Sequence, residues 1–100
     1  MYFKLFISAT IICLAFSSCS SSLYTPNETD AQLENTPLDT LLAGRKLYIN
    51  KCSNCHNLYL PTKYTYSEWQ DIMIKMQKLA KIDDNHKLII TKYLKVKSKK

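Results

Sequence analysis

The chain has 100 residues, of which 46% are hydrophobic, and its formal net charge is +6 from 14 Lys and Arg against 8 Asp and Glu. This length allows at most one small domain, which excludes a multidomain architecture within the chain. Because so small a core seldom holds a fold together alone, we expect a covalent or metal-based staple.

The first eighteen residues have the composition of an export signal. Lys4 precedes an apolar run from Leu5 to Phe16, which is too short to remain as a membrane span. The run ends in Ser17-Ser18-Cys19, which resembles the end of a bacterial lipoprotein signal. We therefore expect residues 1–18 to be removed and Cys19 to be lipidated, with an ordinary secretory signal cleaved nearby as the alternative. Both interpretations place the protein in the bacterial cell envelope, facing the periplasm or the outside.

Residues 19–37 are expected to form the lipidated N-terminus and a flexible tether. Serines, prolines and scattered acids dominate this stretch, and apolar residues are few. Such a composition buries too little surface to order itself. The folded domain is therefore predicted to occupy residues 38–100.

A first helix is predicted near Leu38, because apolar residues recur from there at spacings of three and four. Thr36 is the expected N-cap, with Pro37 at the first helical position. Gly44, which is the only glycine of the chain, lies inside this helix. Since a glycine there weakens a helix by about 1 kcal/mol relative to alanine, we expect another backbone to approach closely at this point.

The stretch Cys52-Ser53-Asn54-Cys55-His56 carries the chemistry of the chain. Two thiols three positions apart, followed at once by an imidazole, are the pattern that attaches a haem covalently through its vinyl groups. Cys52 and Cys55 would form the thioethers, and His56 would be the proximal iron ligand. The pattern predicts one covalent haem c, which would also be the staple that a small core needs.

Other uses of these residues are a zinc site, a redox dithiol and a disulfide. Zinc would need Cys52, Cys55, His56 and His86 together, yet the chain after the motif offers only one histidine where a strong zinc pattern has a second spaced pair of ligands. Redox dithiols sit in a βαβ context, which the flanking sequence does not indicate. A disulfide between the two cysteines would strain a short loop and leave His56 unexplained. Haem therefore ranks above zinc, and zinc above dithiol chemistry.

Residues 57–66 have no helical period and contain three tyrosines, so they are predicted to be a loop covering one haem face. The backbone carbonyl of Pro61 is the expected acceptor for the second ring N–H of His56, which would fix the tautomer of that ligand. A second helix is predicted to open with Ser67 as N-cap and Gln70 completing a capping box. Its apolar stripe consists of Trp69, Ile72, Met73, Met76, Leu79 and Ala80. Thioether sulfur is a common sixth ligand, so Met76 is predicted as the distal iron ligand, with Met73 as its competitor.

A last helix is predicted to be capped by Asp83 or Asp84. Its inward residues are expected to be Leu88, Ile89 or Ile90, Tyr93 and Leu94. His86 falls in the first turn among charged neighbours and is expected at the surface. The lysine-rich end of this helix suits the helix dipole and could steer an acidic partner.

The order of these motifs resembles that of the small monohaem class I cytochromes c, in the subgroup whose distal methionine follows a tryptophan-containing helix. The residues that carry the resemblance are Gly44 to Tyr48, Cys52-x-x-Cys55-His56, Leu60-Pro61, Glu68-Trp69-x-x-Ile72-x-x-x-Met76 and Tyr93-Leu94. The resemblance implies an all-α bundle of about three helices around one haem. It also implies that the first and last helices cross, with Gly44 and Tyr93 or Leu94 at the crossing.

These observations predict a membrane-anchored electron carrier and not an enzyme, because no acid, base or nucleophile constellation accompanies the haem motif. The expected partners are redox proteins with acidic docking surfaces and the membrane through the lipid, and no nucleic acid. The alternatives are a haem-based sensor or gas-binding module with an open sixth position, and a small haem subunit of a larger oxidoreductase that docks through the lysine-rich tail.

Overall fold

The computed structural model describes residues 23–52 and 58–100. These residues form four α-helices and one 3-10 turn, namely α1 (Glu28–Leu33), α2 (Leu38–Cys52), the 3-10 turn (Pro61–Lys63), α3 (Tyr66–Ala80) and α4 (Asp84–Val96). The all-α prediction is confirmed, with four α-helices where about three were expected. None of the described helices is long and apolar enough to cross a membrane. Cys13, Cys19 and the predicted signal lie outside the described residues.

Helices α2 and α4 cross at Gly44. A Cβ atom placed on Gly44 would lie 2.4 Å from the carbonyl oxygen of Ile89 and 2.8 Å from Cβ of Tyr93. Both distances are shorter than van der Waals contact, so only glycine allows the two backbones to meet here. The expected close approach is confirmed, as is the implied crossing of the first and last helices of residues 38–100.

The core lies between α2, α3 and α4. Its most deeply buried side chains are those of Leu41, Trp69, Met73, Ile90, Tyr93 and Leu94, each at most 2% exposed. Two residues that were predicted to face inward do not, because Leu79 is 74% and Leu88 is 53% exposed. Ile90 points into the core and Leu88 precedes it by two positions, which places Leu88 on the opposite side of α4.

The capping residues differ in part from the predicted ones. Helix α3 is capped by Thr65, whose hydroxyl accepts the Glu68 N–H at 3.1 Å while the Glu68 carboxylate accepts the Thr65 N–H at 2.9 Å. This capping box replaces the predicted pair Ser67 and Gln70, because a carboxylate at the third position interacts more favourably with the helix dipole than an amide. The cap of α4 is Asp83, as predicted, and it accepts the N–H of His86 at 2.7 Å.

At the start of α2, the prediction is displaced by one residue. The carbonyl of Pro37 accepts the N–H groups of Thr40 and Leu41 at 3.0 and 3.2 Å, so Pro37 precedes the first helical residue. Thr36 was the expected cap, but its hydroxyl donates to the carbonyl of Glu34 at 3.0 Å.

Residues 23–37, which we call the N-terminal collar, are folded onto the bundle. Asn27 and Asp30 form the capping box of α1, and the collar residue Leu23 belongs to the hydrophobic core at 5% exposure. The predicted flexible tether is therefore wrong for residues 23–37, and the packed part of the chain extends at least fifteen residues before Leu38.

Side chains of α2 and α4 hold the collar in place. Arg45 donates from Nε to the carbonyl of Tyr24 at 3.1 Å and from Nη2 to the carbonyl of Leu23 at 3.4 Å. The Tyr93 hydroxyl donates to the same Tyr24 carbonyl at 2.7 Å. These bonds satisfy collar carbonyls that would otherwise be desolvated by the packing.

Candidate functional site

The predicted haem motif begins on the last residue of α2. Cys52 ends that helix and is 9% exposed. Cys55 and His56 fall in residues 53–57, outside the described residues. Their roles as second thioether and proximal ligand therefore stay predictions, whereas the first thiol has a defined place.

Cys52 belongs to an aromatic and apolar cluster. The same cluster contains Tyr48 one turn earlier on α2, Trp69 and Met73 on α3, and Ile90 on α4. Such surroundings exclude water and present apolar surface, which is what a porphyrin ring attached at this thiol requires. The residues around Cys52 thus fit a covalently held haem.

The chain that leaves the motif returns to the helix that enters it. The Tyr48 hydroxyl donates to the carbonyl of Tyr59 at 2.5 Å, across eleven positions of sequence. Since Tyr48 precedes the motif and Tyr59 follows it, this bond joins the two flanks of the motif.

Aromatic rings line the segment after the motif. Tyr59 and Tyr64 meet edge to face with centroids 5.8 Å apart, and Tyr64 meets Trp69 at 5.1 Å in the same manner. Trp69 also meets the ring of Tyr48 at 6.2 Å. Edge-to-face packing at these distances is a favoured aromatic geometry. The tyrosine-rich loop predicted beside the haem is therefore fixed to α2 and α3 through rings.

Pro61 and Trp69 form the main polar contact of this segment. The indole N–H of Trp69 donates to the buried carbonyl of Pro61 at 2.8 Å. This carbonyl was predicted to accept the proton of His56, and its second lone pair remains compatible with that role. The sequence indicated Trp69 only as a core residue, and the buried indole N–H, which needs an acceptor, was the signal for its positioning role.

The two candidate distal ligands occupy different environments on α3. Met73 is 2% exposed and packs in the cluster that contains Cys52, whereas Met76 is half-buried one turn later. Met73 thus fills a core position, and Met76 lies on the same stripe at its margin. Which sulfur binds the iron stays a prediction.

Two buried tyrosines near the motif stay neutral. Burial raises the pKa of Tyr48 well above its ordinary value, and the neighbouring Cys52 and Tyr93 raise it further. Burial also raises the pKa of Tyr93 from 10.0 to about 12, although Arg45 acts in the opposite direction. Both hydroxyls therefore act as hydrogen-bond donors at physiological pH and add no charge to the core.

His86 lies at the surface, as predicted. Its side chain is 40% exposed, and Nδ1 is 3.8 Å from Oδ1 of Asp83. Among residues 23–52 and 58–100, no three or more His, Cys, Asp or Glu side chains gather into a group that could hold a metal ion.

Comparison with known proteins finds a match to one protein family. The sequence model of dihaem cytochrome c matches residues 48–100, a stretch that begins at Tyr48, contains the whole Cys52 to His56 motif and runs through α3 and α4. No curated protein and no solved structure matches the chain. The family's description counts two haems, while this sequence contains a single C-x-x-C-H motif. Because the match covers more than half of the chain and includes its haem motif, the chain belongs to the dihaem cytochrome c family and is a c-type cytochrome whose general role is haem-based electron transfer.

Proposed function

We propose that the protein is a lipid-anchored, extracytoplasmic electron carrier with one haem, attached at Cys52 and Cys55 and ligated by His56 and Met76. The observation that carries the proposal is the burial of Cys52 in an aromatic cluster, inside the only C-x-x-C-H motif of the chain. The bound haem supplies a one-electron couple, and the protein supplies the ligands, the low-dielectric surroundings and the docking surface.

The count of one haem follows from the cysteines. The chain has four, and Cys13 and Cys19 are not part of a C-x-x-C-H pattern. Cys13 would leave with the signal, and Cys19 would carry the lipid that holds the protein at the membrane. Every thiol then has a use in an oxidising compartment.

The different burial of the two methionines supports Met76 as distal ligand. Met73 already fills a core position beside Trp69 and Tyr48, and withdrawing it would leave a cavity in the core. Met76, which is half-buried on the same stripe, can turn towards a haem without that cost. Ligation by histidine and methionine gives a higher potential than ligation by two histidines.

Two cations flank the motif and would serve a redox partner. Lys51 directly precedes Cys52 and is exposed, and Lys63 is exposed with its Nζ 5.4 Å from the Tyr59 ring centroid. Positive charge beside an electron-transfer site speeds the encounter with a partner that has an acidic docking surface.

The first test is the haem content and spectrum of the protein produced in a host that matures c-type haem. We expect one haem per chain that resists extraction with acidified organic solvent, and a ferric spectrum with the weak red band of sulfur ligation. Two haems per chain, or none, would contradict the proposal. Ready binding of carbon monoxide by the reduced protein at neutral pH would instead indicate the gas-binding alternative.

A matched pair of variants tests the distal ligand. Met76→Leu should abolish the sulfur band and lower the potential, while Met73→Leu, a change of similar volume in the core, should keep both. The opposite result would assign the ligand to Met73. An unchanged band in both variants would remove methionine ligation from the proposal.

A further inference from the structure

We propose that the exposed lysines at the end of α4, namely Lys97, Lys99 and Lys100, rest on anionic phospholipid headgroups and seat the haem domain directly on the bilayer. We call these three residues the terminal lysine patch. The inference rests on the proposed lipid anchor and goes beyond it, because an anchor alone does not specify which face of the domain meets the membrane.

The collar leaves little chain between the proposed lipid and the packed domain. Only Ser20, Ser21 and Ser22 separate Cys19 from Leu23, which is buried. Four fully extended steps of about 3.5 Å reach roughly 14 Å. A flexible tether ending at Leu38 would have allowed a span of roughly 25 Å. The fold therefore keeps Leu23 close to the headgroups.

The terminal lysine patch lies beside this entry point. Nζ of Lys97 is 4.7 Å from the ring centroid of Tyr24, the residue that follows Leu23. The tail that follows Lys97 is held against the start of α3, since the Lys99 N–H donates to the carbonyl of Tyr64 at 2.8 Å and Lys99 pairs with Thr65 in an isolated β-bridge. The end of the chain and the start of the collar thus share one face of the domain.

The acids near this face do not neutralise it. Asp30 is buried and accepts the Tyr24 hydroxyl, and Glu34 pairs with Lys95 at 3.4 Å. Glu68 caps α3 and has a lowered pKa, caused first by its hydrogen bond from the Thr65 backbone and to a smaller extent by Lys99. The face therefore keeps a positive charge from Lys97 and Lys100.

Lipid is favoured over an acidic protein as the partner of the terminal lysine patch, because the short spacer keeps the patch near the bilayer. Attraction between charges in solution extends over about 8 to 10 Å at physiological salt, which is similar to the reach of the three-serine spacer. Lysines near an anionic leaflet strengthen binding by about fivefold each. A protein partner would have to enter between the patch and the bilayer to use the same lysines.

The test uses the haem-loaded chain that starts at Ser20, exported behind a cleavable secretory signal so that all described residues are kept and no lipid is present. Its co-sedimentation is measured with vesicles of pure phosphatidylcholine and of phosphatidylcholine containing about one third phosphatidylglycerol. We expect binding to the anionic vesicles alone, with a loss of tenfold or more when salt rises from 50 to 500 mM.

Two double variants of equal charge change locate the binding face. Lys97→Gln with Lys100→Gln should weaken vesicle binding by about tenfold or more, while Lys75→Gln with Lys78→Gln, on exposed positions of α3, should leave it within about twofold. Equal losses in the two variants, or equal binding to both vesicle types, would overturn the inference. The inference would also be overturned if the Lys97→Gln, Lys100→Gln variant lost binding to a purified acidic redox partner while its binding to anionic vesicles stayed unchanged.

The anchor itself is tested separately. The full chain with Cys19→Ala should leave the membrane fraction after a high-salt wash, whereas the wild-type chain should remain. If both remain, the anchor proposal fails, and the vesicle experiment still reports on the lysine patch. If only the vesicle experiment fails, the anchor stands and the seating of the domain on lipid is refuted.

Discussion

Helix α2 and the N-terminal collar both contact α4, but the contacts are of different kinds. At the crossing, two backbones meet at Gly44, and the surrounding side chains of Leu41, Ile90 and Leu94 are fully buried. In the collar, polar groups of Arg45 and Tyr93 reach backbone carbonyls of Leu23 and Tyr24. The crossing depends on shape, whereas the collar depends on a few separate polar bonds in addition to the burial of Leu23. The collar should therefore open without the bundle, while damage to the crossing should unfold both.

The largest effect is expected from Gly44→Ala in the haem-loaded protein. The added methyl group would lie 2.4 Å from a backbone oxygen of α4, so the helices must separate. We expect a loss of about 3 kcal/mol in the free energy of unfolding, at the upper end of the usual overpacking range. Urea denaturation measures it. Ala43→Gly, at the exposed neighbouring position, is the control and should cost about 1 kcal/mol. A smaller loss in Gly44→Ala than in the control would show that the crossing is not shape-limited.

Arg45→Met comes next and acts on the collar. The substitution keeps the aliphatic stem and removes two hydrogen bonds to collar carbonyls. We therefore expect the free energy of unfolding to fall by about 2 kcal/mol. Amide hydrogen exchange should become much faster in α1 and stay slow in α4. Lys46→Met, at an exposed position, should change neither. Equal acceleration in α1 and α4 would mean that collar and bundle unfold as one unit.

Tyr93→Phe removes one bond between the two regions. At neutral pH we expect the free energy of unfolding to fall by about 1 kcal/mol. Burial raises the folded-state pKa of Tyr93 from 10.0 to about 12, so its contribution is complete below pH 10 and is lost as pH rises towards 12. The difference in free energy of unfolding between wild type and Tyr93→Phe should therefore shrink or reverse at pH 11. Tyr66→Phe, which removes a hydroxyl from the first turn of α3, is the control for losing a tyrosine hydroxyl at neutral pH, and urea curves at pH 7 and pH 11 measure the effect of Tyr93→Phe.

Glu34→Gln should have the smallest effect. It breaks the ion pair with Lys95, whose atoms are 3.4 Å apart and whose side chains are 21% and 47% exposed. Pairs this exposed contribute about 0.5 kcal/mol or less. The difference in urea midpoint between variant and wild type should vanish at 1 M salt. A difference that persists in 1 M salt would mean that Glu34 supports the collar through a contact other than this ion pair.

The two regions also differ in how far the sequence predicts them. The lone glycine predicted a close approach of two backbones, the family resemblance implied the crossing, and Asp83 was one of two neighbouring aspartates predicted to cap α4. The collar could not be predicted from its own residues, because its stabilising partners lie on distant helices at Arg45, Tyr93 and Lys95. Local composition contains no information about a donor that arrives from elsewhere in the chain.

Smaller differences between the sequence predictions and the structure have similar physical causes. Thr65-x-x-Glu68 and Ser67-x-x-Gln70 overlap as capping patterns, and the bond from Lys99 to Tyr64 helps fix the start of α3 at the earlier pair. At the candidate site, the motif predicted the chemistry of Cys52, but the closing bond from Tyr48 to Tyr59 and the contact of Trp69 with Pro61 required the folded backbone.

The bond between Tyr93 and Tyr24 also bears on the order of events during folding. It joins positions 69 residues apart and so closes a loop that contains the entire haem motif. Contacts of such long sequence separation form late, because the entropy of closing the loop is lost before the contact is gained. Cys52 is buried in the closed fold, which makes its thiol poorly accessible to an attachment enzyme. We therefore expect haem attachment to precede the contact between Tyr24 and Tyr93, and variants that delay this contact should lengthen the interval available for maturation.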